Sequence, residues 1–140
     1  MSDTAPVRVV VVDDAEEMRE LLTLTLAREP DFTVIAEAAD GAAGVQAVAE
    51  TVPDLVLLDV SMPVMDGLEA LRVIRSQSPA PAVVMFSAFG DATEVAGQAM
   101  RLGAHGYIRK GEALSALPEQ LRVLLGTART QGGGPDDVSW

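Results

Sequence analysis

The stretch VRVVVV, residues 7–12, constrains this fold most, because it is apolar almost throughout and runs straight into two acids, Asp13 and Asp14. A strand with one wet face alternates apolar and polar residues. One this continuously apolar is expected to be buried on both faces, as the central strand of a parallel sheet covered by helices on each side. Apolar, β-branched runs then alternate with longer segments of helical spacing, which argues for repeated strand-helix units.

Five such units can be read along the chain. The first helix carries Met18, Leu21, Leu22 and Leu26 near three-to-four spacing and ends before Pro30, with Asp14 either capping or preceding it. FTVIAEA, residues 32–38, is the second strand, followed by a helix from about Gly41 to Glu50 that turns Val45 and Val48 inward. DLVLLD is the third strand, SMPVMDG a loop, and Leu68, Leu71 and Ile74 mark one face of the next helix. PAVVMFSA is the fourth strand, and the helix DATEVAGQAMRLG stops at Gly103, a residue suited to the left-handed conformation after a helix end. GYIRK is a short fifth strand and EALSALPEQLRVLLG the last helix. Pro118 in that pattern either kinks the helix or sits in its first turn.

Residues 1–126 read as one domain, large enough to bury a real core without staples. Residues 127–140, TARTQGGGPDDVSW, read as a flexible tail or linker. There are no cysteines, so thiolate chemistry is excluded. The N-terminus lacks a signal-peptide pattern and no apolar run approaches bilayer length, so a cytoplasmic protein with no membrane contact is expected. A net charge of -11 and a pI near 4.3 argue against direct nucleic-acid binding.

Ligands of open parallel sheets bind outside the carboxyl ends of the strands. Asp13 and Asp14 lie at that end of the first strand, Asp59 at the third, Ser87 at the fourth and Lys110 just past the fifth. Three carboxylates in one crevice repel by about 4 kcal/mol per pair roughly 4 Å apart at an effective dielectric near 20. A divalent cation removes that cost, and magnesium suits a site with few protein oxygens, where calcium would want more. Asp59 is then placed to attack phosphorus and form an aspartyl phosphate, with Lys110 and the Ser87 hydroxyl donating to phosphoryl oxygens.

Each of these residues also has an ordinary use. Adjacent acids commonly cap helices, Asp66 before Gly67 reads as turn and cap, and a serine or lysine at a strand end is unremarkable alone. Only the joint placement points to a site. Tyr107 can be plain core. His105 has no second ligand-like neighbour and is read as structural, and Met62, Met65, Met85 and Met100 as packing residues. No GxxxxGK loop is present.

VVVVDD, LLDVSMPVMDG, MFSA and YIRK occur in order, each at a strand end, and together they make the chain resemble the receiver domain of bacterial two-component response regulators over residues 7 to about 126. The resemblance implies a flavodoxin-like α/β fold, a doubly wound five-stranded parallel sheet of order 2-1-3-4-5 with helices on both faces. It implies that Asp59 accepts phosphate from a phosphohistidine on a sensor histidine kinase in a Mg2+-dependent reaction. Asp14 would touch the metal directly, Asp13 through water, and Ser61 through its backbone carbonyl. Ser87 and Tyr107 would act as the switch, Ala88 would leave access to the site, and partners or a second copy would dock on the fourth helix, fifth strand and fifth helix. Such a domain is a phosphoacceptor switch that assists its own phosphorylation and dephosphorylation, and is not expected to be an enzyme. Gly111 departs from the family pattern, which has proline after the lysine with a cis bond between them; a cis bond before a non-proline residue costs roughly 2.5–4 kcal/mol.

Two other functions compete. One is an aspartate-nucleophile phosphohydrolase, disfavoured because Ser61 stands where such enzymes carry a second acid. The other is a receiver-like interaction module that signals without phosphate.

Overall fold

In the computed structural model, which describes residues 5–87, 93–111 and 114–130, the valines of β1 (Val7–Val12) feed two separate apolar cores. Val9 and Val11 point to one face and Val10 and Val12 to the other, and all four are essentially inaccessible to water. Two-sided burial is what a continuous β-branched run requires.

The remaining strands and α-helices alternate: α1 (Glu16–Ala27), β2 (Phe32–Ala38), α2 (Gly41–Thr51), β3 (Leu55–Leu58), α3 (Gly67–Arg75), β4 (Ala82–Ser87), α4 (Thr93–Arg101), β5 (Gly106–Arg109) and α5 (Leu117–Thr130), with a single 3-10 turn, Leu114–Ala116, leading into α5. All strand pairs are parallel and the order is β2-β1-β3-β4-β5. Leu22 and Leu26 of α1 with Leu117 and Leu121 of α5 cover one face; Val48 of α2, Leu71 and Ile74 of α3 and Ala99 of α4 cover the other. Each fully buried Leu or Ile contributes about 1.5–3 kcal/mol. Among the described residues no helix is long and apolar enough to cross a membrane.

Some boundaries differ from the sequence reading. Leu21 is 46% exposed, because the apolar stripe of α1 that meets the sheet is carried by Leu22 and Leu26. Val48 is buried while Val45 is only half-buried against the same core. Met62, Met65 and Met85 pack in the core, but Met100 is 49% exposed. Pro118 lies in the first turn of α5, where its missing N–H removes no helical hydrogen bond. That helix continues to Thr130, four residues into the segment expected as a tail; residues 131–140 lie outside the described residues. Gly103 closes α4 at φ 106°, as expected, and Val52 ends α2 at φ 50°, a conformation costly for a β-branched residue. Arg8 supports that end, donating from its guanidinium to the carbonyls of Thr51 at 2.9 Å and Val52 at 2.7 Å.

Candidate functional site

From β1 the chain winds outward through α1 to β2, then crosses back through α2 to β3 on the other side of β1. The connections therefore leave β1 and β3 in opposite directions, which opens a crevice at their carboxyl ends. Asp13 and Asp59 stand at those two ends in register, the amide of Asp59 donating to Val12 O at 2.9 Å. Both are buried, at 1% and 5% exposure, whereas Asp14 beside them is exposed. One carboxylate oxygen from each of the three lies within 4.8 Å of the others.

Lys110 closes the crevice from β5. Its amide donates to Ser87 O at 2.8 Å, continuing the β4–β5 ladder by one residue, and its Nζ reaches Asp13 Oδ2 at 2.7 Å and Asp59 Oδ1 at 3.5 Å. The shorter contact is an ion pair, and Asp13 Oδ2 is buried with no hydrogen bond beyond it. The Lys110 Nζ also sits 5.9 Å from the centre of the Phe86 ring. The Lys110–Gly111 bond is trans; the cis bond among the described residues is Ser78–Pro79.

Asp59 is pushed up to about 6 from the ordinary carboxyl value of 3.8, first because burial disfavours its charge and next because Asp13 repels it, while Lys110 pulls the other way. One cation does not compensate three clustered acids. A donor set of hard carboxylate oxygens with surplus negative charge can hold a divalent metal ion.

The loop after β3 is held from both sides. Gly67 donates its amide to Val60 O at 2.7 Å, and a Cβ on Gly67 would fall 2.0 Å from the Asp59 carbonyl oxygen, so α3 approaches the acid's own backbone as closely as only glycine permits. Asp66 caps α3, accepting from the Glu69 amide at 2.9 Å. Val64 at the loop tip is 82% exposed with φ 70°, a strained setting for valine. Ser61 is exposed in the same loop.

Ser87 is fully buried at the end of β4, and Ala88 lies outside the described residues. The Tyr107 ring packs against the core beneath α4, and its hydroxyl is buried without a hydrogen-bond partner rather than wet. His105 accepts from the Val83 amide at 3.2 Å through Nδ1 while its own amide donates to Val83 O at 2.7 Å, so it fastens the start of β5 to β4. At the start of α1 it is Asp13, not Asp14, that receives a helix-entry amide, that of Ala15 at 2.9 Å. Arg19 was not picked out from the sequence, yet its guanidinium donates to the Asp13 carbonyl at 2.7 Å. Its place one helical turn beyond Ala15 was the available signal.

An open parallel α/β sheet with an anionic crevice at its switch point and a lysine across the mouth defines a class of phosphate-handling or metal-binding domains. Residues 9–122 match the response regulator receiver domain family, and the chain belongs to that family. Phosphorylation and magnesium binding are typical of it. Over 114 residues the chain is 39% identical to protein-glutamate methylesterase/protein-glutamine glutaminase 2 of Koribacter versatilis (strain Ellin345), covering 81% of this chain and 31% of that protein. The response regulator domain of Thermotoga maritima CheB is 30% identical with a TM-score of 0.78, covering 93% of this chain and 99% of that one. A chain of the CheX–CheY–BeF3–Mg2+ complex from Borrelia burgdorferi is 28% identical with a TM-score of 0.79, covering 86% and 90%.

These names correct the expectation of a protein without enzymatic activity. The curated relatives that share this domain are named as enzymes, methylesterases and glutaminases acting on protein side chains, and the chain spans about a third of their length.

Proposed function

We propose that this chain is a phosphoacceptor receiver in which Asp59 takes a phosphoryl group from the phosphohistidine of a sensor histidine kinase. The observation that carries this is a buried carboxylate kept poor in charge compensation, set between two further acids and a lysine at the switch point. An Asp59 oxygen attacks phosphorus, the phosphorus–nitrogen bond to the donor imidazole breaks, and the imidazole leaves with its electron pair and takes up a proton. Lys110 exchanges its contact with Asp13 for a phosphoryl oxygen, and the Ser87 hydroxyl donates to another. Asp13, Asp14, Asp59 and the Ser61 carbonyl would hold magnesium, which when bound offsets the charge of the acids and of the incoming phosphoryl group. The magnesium in the complex that contains the similar chain from Borrelia burgdorferi supports this choice of metal.

The switch would run through Ser87 to Tyr107. A hydroxyl buried without a partner has reason to change place when a neighbouring residue moves, since leaving it unsatisfied costs about 1–3 kcal/mol. A cavity of about 310 Å³ beside it, lined by Tyr107, Ile108, Glu119, Gln120, Val123 and Leu124, gives a partner a place to dock on β5 and α5. The homodimer expected on that face has no support in the comparisons. The domain so read works in the cytoplasm and controls an effector; the relatives point to a protein-modifying hydrolase as one such effector.

Incubation with a small acyl-phosphate donor, with and without Mg2+, tests the assignment by intact mass. One added phosphoryl group that requires Mg2+ and is absent from Asp59→Asn is expected. A base-labile label retained by that variant refutes it.

A further inference from the structure

Asp13 is held at every polar atom it owns. Its amide donates to Ala38 O at 3.0 Å, its Oδ1 accepts from Ala15 N–H at 2.9 Å, its Oδ2 pairs with Lys110 at 2.7 Å, and its carbonyl accepts from Arg19 Nη1 at 2.7 Å. The first three contacts come from strand ends and from the turn into α1. The fourth comes from a side chain on α1 that is itself anchored elsewhere. Arg19 Nε lies 3.5 Å from Glu37 Oε1 on β2, and Glu37 Oε2 accepts from Thr23 Oγ1 at 2.9 Å.

The carbonyl of Asp13 belongs to the planar peptide unit that joins Asp13 to Asp14, so fixing that oxygen fixes the plane from which the Asp14 side chain departs. Asp14 is the exposed member of the acidic trio, with no strand to orient it. We propose that Arg19 is a positioning residue for the acidic site: its forked guanidinium braces the Asp13–Asp14 peptide against Glu37 and so sets the spacing of the three carboxylates. This rests on the receiver reading, for which that spacing matters. A guanidinium fits the task because its nitrogens are rigidly splayed and reach two acceptors at once, as a single ammonium does not.

Charge and geometry predict opposite signs. Removing a cation near an acidic site would by itself strengthen Mg2+ binding, whereas loosening the Asp13–Asp14 peptide weakens it. The double variant Arg19→Gln with Glu37→Gln removes one positive and one negative charge and leaves the net charge unchanged, which isolates the geometric effect. Mg2+ affinity is measured by calorimetry on the full chain, alongside amide exchange at Ala15 and labelling of Asp59 by an acyl-phosphate donor.

Mg2+ binding in the double variant is expected to weaken about tenfold, the scale on which supports of metal ligands act, with faster exchange at Ala15 and slower labelling. Affinity equal to or tighter than that of the unaltered chain, in a folded variant, overturns the proposal. Should the double variant fail to fold, Arg19→Lys carries the test: it keeps the charge but not the fork, and unchanged Mg2+ affinity there overturns the proposal equally. An unaltered chain that binds no Mg2+ and takes no label overturns the phosphoacceptor reading, and this inference with it.

Discussion

Asp59→Asn is expected to make the protein more stable at neutral pH, and the gain should vanish in acid. The carboxyl moves from 3.8 to about 6 on folding because burial and the neighbouring Asp13 outweigh Lys110, a displacement with a ceiling of about 3 kcal/mol. Solvent at the rim of the crevice brings this to about 2 kcal/mol. The folded pKa lies above the unfolded one, so the folded state holds more protons between the two values. Stability from this group is therefore fully present below pH 3.8 and lost as pH rises through about 6. Asn keeps the shape and never ionises. Urea denaturation of both proteins from about pH 3 to pH 8, in the presence of a chelator, should give equal stability at the acid end and a difference of about 2 kcal/mol at the neutral end. A difference independent of pH, or an Asn variant less stable at neutral pH, would show that Lys110 dominates and that the crevice is not under charge strain.

Gly67→Ala should cost about 1–3 kcal/mol and slow phosphoryl uptake, since its Cβ would meet the Asp59 carbonyl at 2.0 Å; paired denaturation and labelling rates check both effects. Val52→Gly should stabilise by about 1 kcal/mol by relieving the left-handed valine at the end of α2, visible as a higher denaturant midpoint. Burial holds the His105 imidazole below its usual range, with Arg75 adding to the effect, so its stabilisation is present above the unfolded pKa of 6.5 and is lost as pH falls through the lower folded value. A His105→Ala variant should show a flatter acid limb. Leu71→Ala, fully buried between α3 and the sheet, should cost about 2–5 kcal/mol by chemical denaturation.

Sequence alone determined that the sheet is parallel, because only a strand covered on both faces can be as continuously apolar as VRVVVV and LVLL. It also determined which acids end those strands, since a carboxylate directly after such a run marks its carboxyl end. Pro118 was ambiguous in periodicity, because a proline in a first turn and one at a kink interrupt the same pattern. Leu21 looked like core because spacing defines a stripe only to within about one residue either side, and the sheet chose Leu22 and Leu26. The bracing of Asp13 by Arg19, the approach of α3 to Asp59 and the elevation of the Asp59 pKa were decided only by tertiary structure. Arg19 and Gly67 lie near these acids in the chain, but Arg19 is held by Glu37 on β2 and the Asp59 pKa by Lys110 and the exclusion of water, and none of these is in place until the strands pair and both faces of the sheet are covered.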